Sequence, residues 1–153
     1  MVTSQEMTLS LLRTPFCPNI HADYGIHRMA YAFYPHPHRW DKAKVWKAGY
    51  GYNIPLLAFR AHRHGSKGKI PKLQISGDVV VTAIKKSEEG GKILIRCYEP
   101  SGKRAKVKIH CEPVRAWYET DIVECSRKKI SNGNRMVADV APFEIKSFMG
   151  TSI

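Results

Sequence analysis

Residues 73–102 constrain the fold more than any other stretch of this chain. They read Leu-Gln-Ile-Ser-Gly-Asp-Val-Val-Val-Thr-Ala-Ile-Lys-Lys, then Ser-Glu-Glu-Gly-Gly, then Lys-Ile-Leu-Ile-Arg-Cys-Tyr-Glu-Pro-Ser-Gly. Val79, Val80, Val81 and Ile84 form one short β-branched run, and Ile93, Leu94 and Ile95 form another. Runs of that length between turn residues are buried strands rather than helix. The stretch therefore reads as a strand, a tight glycine turn, a second strand and a second turn.

The segments around it repeat the theme. Residues 104–111 alternate: Ala105, Val107, Ile109 and Cys111 face one way, while Arg104, Lys106, Lys108 and His110 face the other. That is a half-exposed antiparallel strand. Residues 114–124 continue as one or two strands, and Ser131-Asn-Gly-Asn134 is a turn signal. Met136, Ala138 and Val140 alternate, and residues 142–148 make a last strand. Further strands are expected from Leu9, over residues 28–35 with both faces covered, and over 55–59. The one helix expected is a short one over residues 40–48, opened by Asp41. Residues 62–72, basic and carrying two glycines, read as an exposed loop. Strand after strand with at most one short helix gives an all-β class, an antiparallel β-sandwich. The expected layout is a tail over residues 1–7 and one sandwich domain over 8–153.

Several functions are excluded or weakened. No apolar run approaches the ~20 residues that span a bilayer. Residues 1–12 have no secretory pattern, so a cytoplasmic location with reduced thiols is expected. The four cysteines, Cys17, Cys97, Cys111 and Cys125, are far apart and form no zinc spacing; Cys97 and Cys111 fall in strands as small buried hydrophobes. No Gly-x-Ser-x-Gly elbow or phosphate loop occurs. His21 and His27 flank Asp23, His36 and His38 bracket Pro37, and His62 and His64 bracket Arg63. Two residues apart on extended chain, such pairs could offer two metal ligands, but no third or fourth ligand follows at matched spacing. Asp23, Asp41, Asp78, Glu119, Asp121 and Glu124 could supply a carboxylate pair, although sequence places no two of them across a cleft. A net charge of +12 admits a polyanion partner. Lys103, Arg104, Lys106 and Lys108, with Tyr98 and Tyr118 near in sequence, could make a basic, aromatic nucleic-acid face. A solvated basic sheet explains the same residues more simply.

Residues 75–102 resemble the C-terminal β domain of α-mannosidases of glycoside hydrolase family 38. The likeness lies in the Lys85-Lys-Ser-Glu-Glu-Gly-Gly turn and the closing Tyr98-Glu-Pro-Ser-Gly102. Other segments agree in the family's order. Ser10-Leu-Leu-Arg-Thr-Pro15, Ala22-Asp-Tyr-Gly-Ile-His27 and Tyr31-Ala-Phe-Tyr-Pro-His36 resemble the entry to this region. Glu119-Thr-Asp-Ile-Val-Glu124 resembles its acidic strand, and Pro142-Phe-Glu-Ile-Lys-Ser-Phe148 its closing strand. The likeness runs over residues ~8–149.

The resemblance implies a β-sandwich that supports a retaining, exo-acting α-mannosidase. In that family an Asp nucleophile, a carboxyl acid/base and a sugar-contacting zinc lie in a large N-terminal domain. Nothing here matches those motifs, so no catalytic residue and no cofactor are expected in this chain, and zinc belongs to the missing catalytic domain. The implied partners are that domain and carbohydrate, with homo-oligomer contacts through the full-length enzyme. The loop 13–38 is the expected approach to the sugar pocket, with Arg13, Asp23, His27 and His36 as pocket or interface residues. A chain that begins abruptly inside a family segment suggests an excised domain, which would expose an apolar patch where its partner docked. Two alternatives stand beside it: an independent carbohydrate-binding module, favoured by Tyr98, Trp117 and Tyr118 exposed together, and a basic nucleic-acid-binding barrel.

Overall fold

The computed structural model describes residues 6–13, 15, 17–58 and 72–151. Of the basic loop expected over 62–72, residues 62–71, with His62 and His64, lie outside the described residues. The chain divides into two compact units, Met1–Pro35 and His36–Ile153.

In the second unit, a helix α1 (Val45–Asn53) precedes eight strands. These are β1 (Leu73–Ser76), β2 (Val80–Lys86), β3 (Lys92–Tyr98), β4 (Ala105–Cys111), β5 (Ala116–Thr120), β6 (Arg127–Asn132), β7 (Arg135–Val140) and β8 (Ile145–Thr151). One sheet has the order β1-β4-β7 and the other β2-β3-β8-β5-β6, with every pair antiparallel. The expected β-sandwich with one short helix is what forms.

The alternation in β4 sets the core. Val107, Ile109 and Cys111 are buried, as are Met136 and Val140 on the paired strand β7. From the five-stranded sheet they meet Ile95, Cys97, Trp117 and Phe148. Trp117 and Phe148 are fully buried and are the two largest fully buried side chains among the described residues. Leu94 and Met149, paired directly across β3 and β8, are buried on the opposite face of that sheet. The centre of the larger sheet is thus covered on both sides.

The stretch 73–102 departs from its sequence reading in one respect. Its first strand is two strands in different sheets: β1 pairs with β4, and β2 pairs with β3. The break falls at Gly77, whose φ is +136 and where a Cβ would lie 2.2 Å from the Lys106 carbonyl oxygen. Only glycine fits that conformation and that approach. Other boundaries moved as well. The helix begins at Val45, because residues 40–44 form turns in which the Val45 N–H donates to the Trp40 carbonyl (3.1 Å). The segment Glu119–Glu124 is strand only to Thr120; residues 121–124 turn, with Glu124 at φ 66. The last strand starts at Ile145 rather than at Pro142. Residues 28–35 and 55–58 form no strand, and Tyr31, Phe33, Leu56 and Leu57 are exposed there. Beyond a single bridge residue at Met7, residues 8–13 form none either.

No helix among the described residues is long and apolar enough to cross a membrane. Gly77→Ala should destabilise the sandwich by about 3 kcal/mol, because the new methyl meets backbone and the backbone angle is strained. Urea unfolding of the two chains reads this directly; an unchanged midpoint would show that the sheet crossing tolerates a side chain.

Candidate functional site

Within the expected loop 13–38, short-range hydrogen bonds order residues 19–27. The His21 N–H donates to Asn19 Oδ1 (2.9 Å), and the Ala22 and Tyr24 N–H groups close turns onto Asn19 and His21. The His21 and Tyr24 rings meet edge to face with centroids 4.6 Å apart. Of the four residues singled out in this loop, Asp23 and His27 are brought together. The His27 ring donates from Nε2 to the Asp23 carbonyl oxygen at 2.9 Å. A carbonyl only accepts, so Nε2 carries the proton and the neutral ring keeps its lone pair on Nδ1. His36 pairs instead with His38, donating from Nδ1 to that residue's carbonyl oxygen at 2.5 Å. Arg13 is exposed. Among the described residues, no three His, Cys, Asp or Glu side chains lie close enough to hold a metal. The described residues therefore offer no ligand set for a zinc ion.

The carboxylates are engaged in structural contacts. Lys103 Nζ donates to Asp41 Oδ2 (2.6 Å), and Lys44 Nζ donates to Asp78 Oδ1 (2.5 Å). Asp121 accepts from the Cys125 and Ser126 N–H groups, both at 2.9 Å. Glu124, buried, accepts from the Glu88 N–H at 2.9 Å and pairs with Lys85 at 2.8 Å. Glu119 pairs with Lys146 at 3.0 Å. The Lys103 ammonium lowers the pKa of Asp41, the Ser126 N–H that of Asp121, and the Lys85 ammonium that of Glu124. A glycosidic general acid needs a raised pKa. Asp41, Asp121 and Glu124 are tuned the opposite way.

The aromatic and basic candidates also separate. Trp117 is core, and Tyr98 and Tyr118 are half-buried, so Tyr98, Trp117 and Tyr118 make no shared exposed platform. Arg104, Lys106 and Lys108 are exposed along the three-stranded sheet, whereas Tyr98 and Tyr118 belong to the other sheet. Lys103 turns to Asp41 instead. The aromatic interleaving that a single strand stacks on is missing from the basic face.

Sequence reasoning quoted Tyr98-Glu-Pro-Ser-Gly102 without giving Glu99 a role. The Glu99 side chain is fully buried. It accepts from the N–H groups of Ser101 (2.8 Å), Gly102 (2.7 Å), Lys103 (3.1 Å) and Phe143 (3.2 Å), and from the Ser101 hydroxyl. Burial pushes its pKa up, but those donors outweigh burial and hold it at about 2. Gly102, at φ +74, lets the turn pass the Phe143 ring, whose Cζ would be 2.7 Å from a Cβ. A glutamate just before Pro-Ser-Gly is a turn-acceptor signal; its Phe143 partner is 44 residues on and had no local signal.

Residues 78–148 match the family model for the glycosyl hydrolases family 38 C-terminal beta sandwich domain. The sandwich described above is that family domain, with β1 lying ahead of the matched segment. The chain is 30% identical over 157 residues to alpha-mannosidase 2C1 of Mus musculus, covering 97% of this chain and 15% of that protein. It is 29% identical over 150 residues to alpha-mannosidase G of Dictyostelium discoideum, covering 92% of this chain and 14% of the relative. It is 28% identical over 177 residues to an alpha-mannosidase of Saccharomyces cerevisiae, covering 93% and 15%. The chain thus spans about a seventh of the length of these relatives. No solved structure matches it significantly.

The Glu99 cradle predicts an acid limb. A carboxylate whose folded pKa is about 2, against an ordinary 4.5, adds stability that is complete above pH 4.5 and is lost as the pH falls through 2. Glu99→Gln should lower stability at neutral pH by about 2 kcal/mol, since charge-assisted hydrogen bonds become neutral ones. It should also flatten the decline between those two pH values. Urea midpoints measured against pH test both; parallel acid limbs for the two chains would remove Glu99 from the account.

Proposed function

We propose that this chain is the non-catalytic β domain of an α-mannosidase, docked on the rest of the enzyme through residues 7–57. Hydrolysis of terminal α-mannosides then belongs to the part of the enzyme outside this chain, together with its zinc. One observation carries the reading. No described residue from 6 to 58 is buried, yet this segment holds Leu9, Leu11, Ile26, Tyr31, Phe33, Leu56 and Leu57 with half or more of each surface open to solvent. A finished surface rarely shows so much contiguous apolar chain. Met7, Leu9, Leu11, Tyr31 and Phe33 line one apolar groove within the first unit. The relatives supply the occupant: about six-sevenths of their length lies outside the matched region. The unpaired state of all four cysteines agrees with a reducing, cytoplasmic setting.

Within this reading, Arg13, Asp23, His27 and His36 shape the edge of the sugar pocket or the docking interface. The His27 ring, fixed in one tautomer by the Asp23 carbonyl, offers its Nδ1 lone pair to a sugar hydroxyl or an interface donor.

The chain alone should release no aryl alcohol from an aryl α-mannoside, with or without added zinc. In the α-mannosidase that carries this domain, Phe33→Asp with Leu56→Asp should lower activity and melting temperature, while the sandwich of the isolated chain keeps its urea midpoint. Undiminished activity and stability in the whole enzyme would end the docking reading. Asp23→Ala and His27→Ala test the loop separately: turnover and stability both unchanged would remove these residues from the pocket.

A further inference from the structure

The outer face of the three-stranded sheet lies outside residues 7–57 and carries an uncompensated charge pattern. Val107, Ile109 and Met136 turn into the core, so the alternate residues of β4 and β7 turn outward. Three cross-strand rows result: Gln74–His110–Arg135, Ser76–Lys108–Val137 and Lys106–Asp139. Lys106, Lys108 and Arg135 are exposed, and Arg104 continues the line just ahead of β4. Asp139 is the one acid in these rows, 3.7 Å from Lys106. Among the described residues, Arg104, Lys108 and Arg135 have no ion-pair partner.

The other sheet treats its cations differently. Lys92 and Arg127 share Glu89 at 2.8 and 2.5 Å, Lys85 holds Glu124 at 2.8 Å, and Lys146 holds Glu119 at 3.0 Å. Sheets gain from opposite charges across strands and lose from like ones. On the three-stranded sheet Lys106 and Lys108 stand two apart on one face, and Arg135 is the diagonal neighbour of Lys108. These charges repel, and no described carboxylate beyond Asp139 offsets them in the rows. Val137, 55% exposed, lies directly across from Lys108. An apolar side chain bordered by charge suits a protein contact, which has an apolar centre and a polar rim. A net charge of +12 also exceeds the magnitude of about 2–8 that keeps a small domain soluble.

We infer that this face docks an acidic polypeptide surface on the part of the enzyme outside this chain. The inference rests on the docking reading and adds the chemistry of a second contact, separate from residues 7–57. A second copy of the chain does not fit as the occupant: it is equally basic, and its Glu89, Glu119 and Glu124 are already paired. A single-stranded nucleic acid fits less well, because the face offers Val137 where successive bases need aromatic platforms. Carboxylates of the partner surface supply what Lys108 and Arg135 lack, Arg135 binding one through its planar N–H fork.

The test is Lys108→Glu with Arg135→Glu in the α-mannosidase that carries this domain. The readout is the half-life of activity on an aryl α-mannoside during heating at low salt. The double reversal should shorten that half-life roughly tenfold. Salt at about 1 M, where the Debye length is about 3 Å, should close most of the gap. Lys108→Arg with Arg135→Lys should keep the original half-life, and the isolated chain should keep or raise its urea midpoint through the reversal. An unchanged half-life, an equal loss in the conservative pair, or an equal loss of stability in the isolated chain would each overturn the inference. So would salt-dependent binding of the chain to a short DNA single strand or duplex that the reversal abolishes, since the face would then belong to nucleic acid. Phe33→Asp with Leu56→Asp in the same assay separates the two readings. If that pair shortens the half-life and the reversal does not, this inference alone falls; if both are silent, the docking reading falls with it.

Discussion

A buried carboxylate at one corner holds the two sheets in register. Glu99 follows β3 in the five-stranded sheet, and the chain then crosses to β4 in the three-stranded sheet. Phe143 lies where the chain crosses back from β7 to β8. The Glu99 carboxylate takes donors from both crossings, and the Glu99 N–H returns a bond to the Glu144 carbonyl at 3.2 Å. Burying a carboxylate is expensive without such donors. Replacing it with an apolar group would leave several buried N–H groups unsatisfied, which is why charge rather than hydrophobicity occupies this corner. The same bonds secure Phe143 in its left-handed conformation at φ 58, a strained state for a bulky residue.

The topology explains why corners matter so much. Only β2–β3 and β5–β6 join neighbours within one sheet; every other connection between successive strands passes from sheet to sheet. Each passage needs a local device. Gly77 supplies bare backbone against Lys106, Glu99 supplies an anion, and Gly133 at φ +91 supplies a turn into β7. A second carboxylate, Glu124, ties the β5–β6 connection to the β2–β3 turn through the Glu88 N–H. The core residues fill the space, but these corners decide which strands face each other.

Much of the sandwich was legible because burial follows alternation. Val107, Ile109, Cys111, Met136 and Val140 sit where period two puts them, and the Asn132-Gly133 turn falls where its chemistry says. The strand β6 escaped notice because Arg127, Lys128 and Lys129 carry no apolar pattern; it forms by pairing with β5 at the sheet edge, where lysines are at home. The split at Gly77 was invisible because period two looks the same on either side of a sheet crossing. In the loop, sequence named Asp23 and His27 as candidates without joining them, and the structure puts the His27 ring on the Asp23 carbonyl. Sequence could not show that the contact runs through the carbonyl rather than the carboxylate.

The strands that failed to form teach something different. Residues 28–35 and 55–58 have the composition of covered β structure, yet Phe33 is 75% and Leu56 99% exposed. An extended segment becomes a buried strand only when an edge pairs with it and a surface covers it. Burying one such side chain is worth about 1.5–3 kcal/mol, so leaving several open forgoes a large stabilisation. After residue 72 the same chain builds a complete core around Trp117 and Phe148. A sequence that buries a continuous core in its second half has no general defect in patterning. Its first half carries apolar side chains at strand-like spacing, yet the described ones stay exposed, because spacing alone supplies neither a pairing edge nor a covering surface.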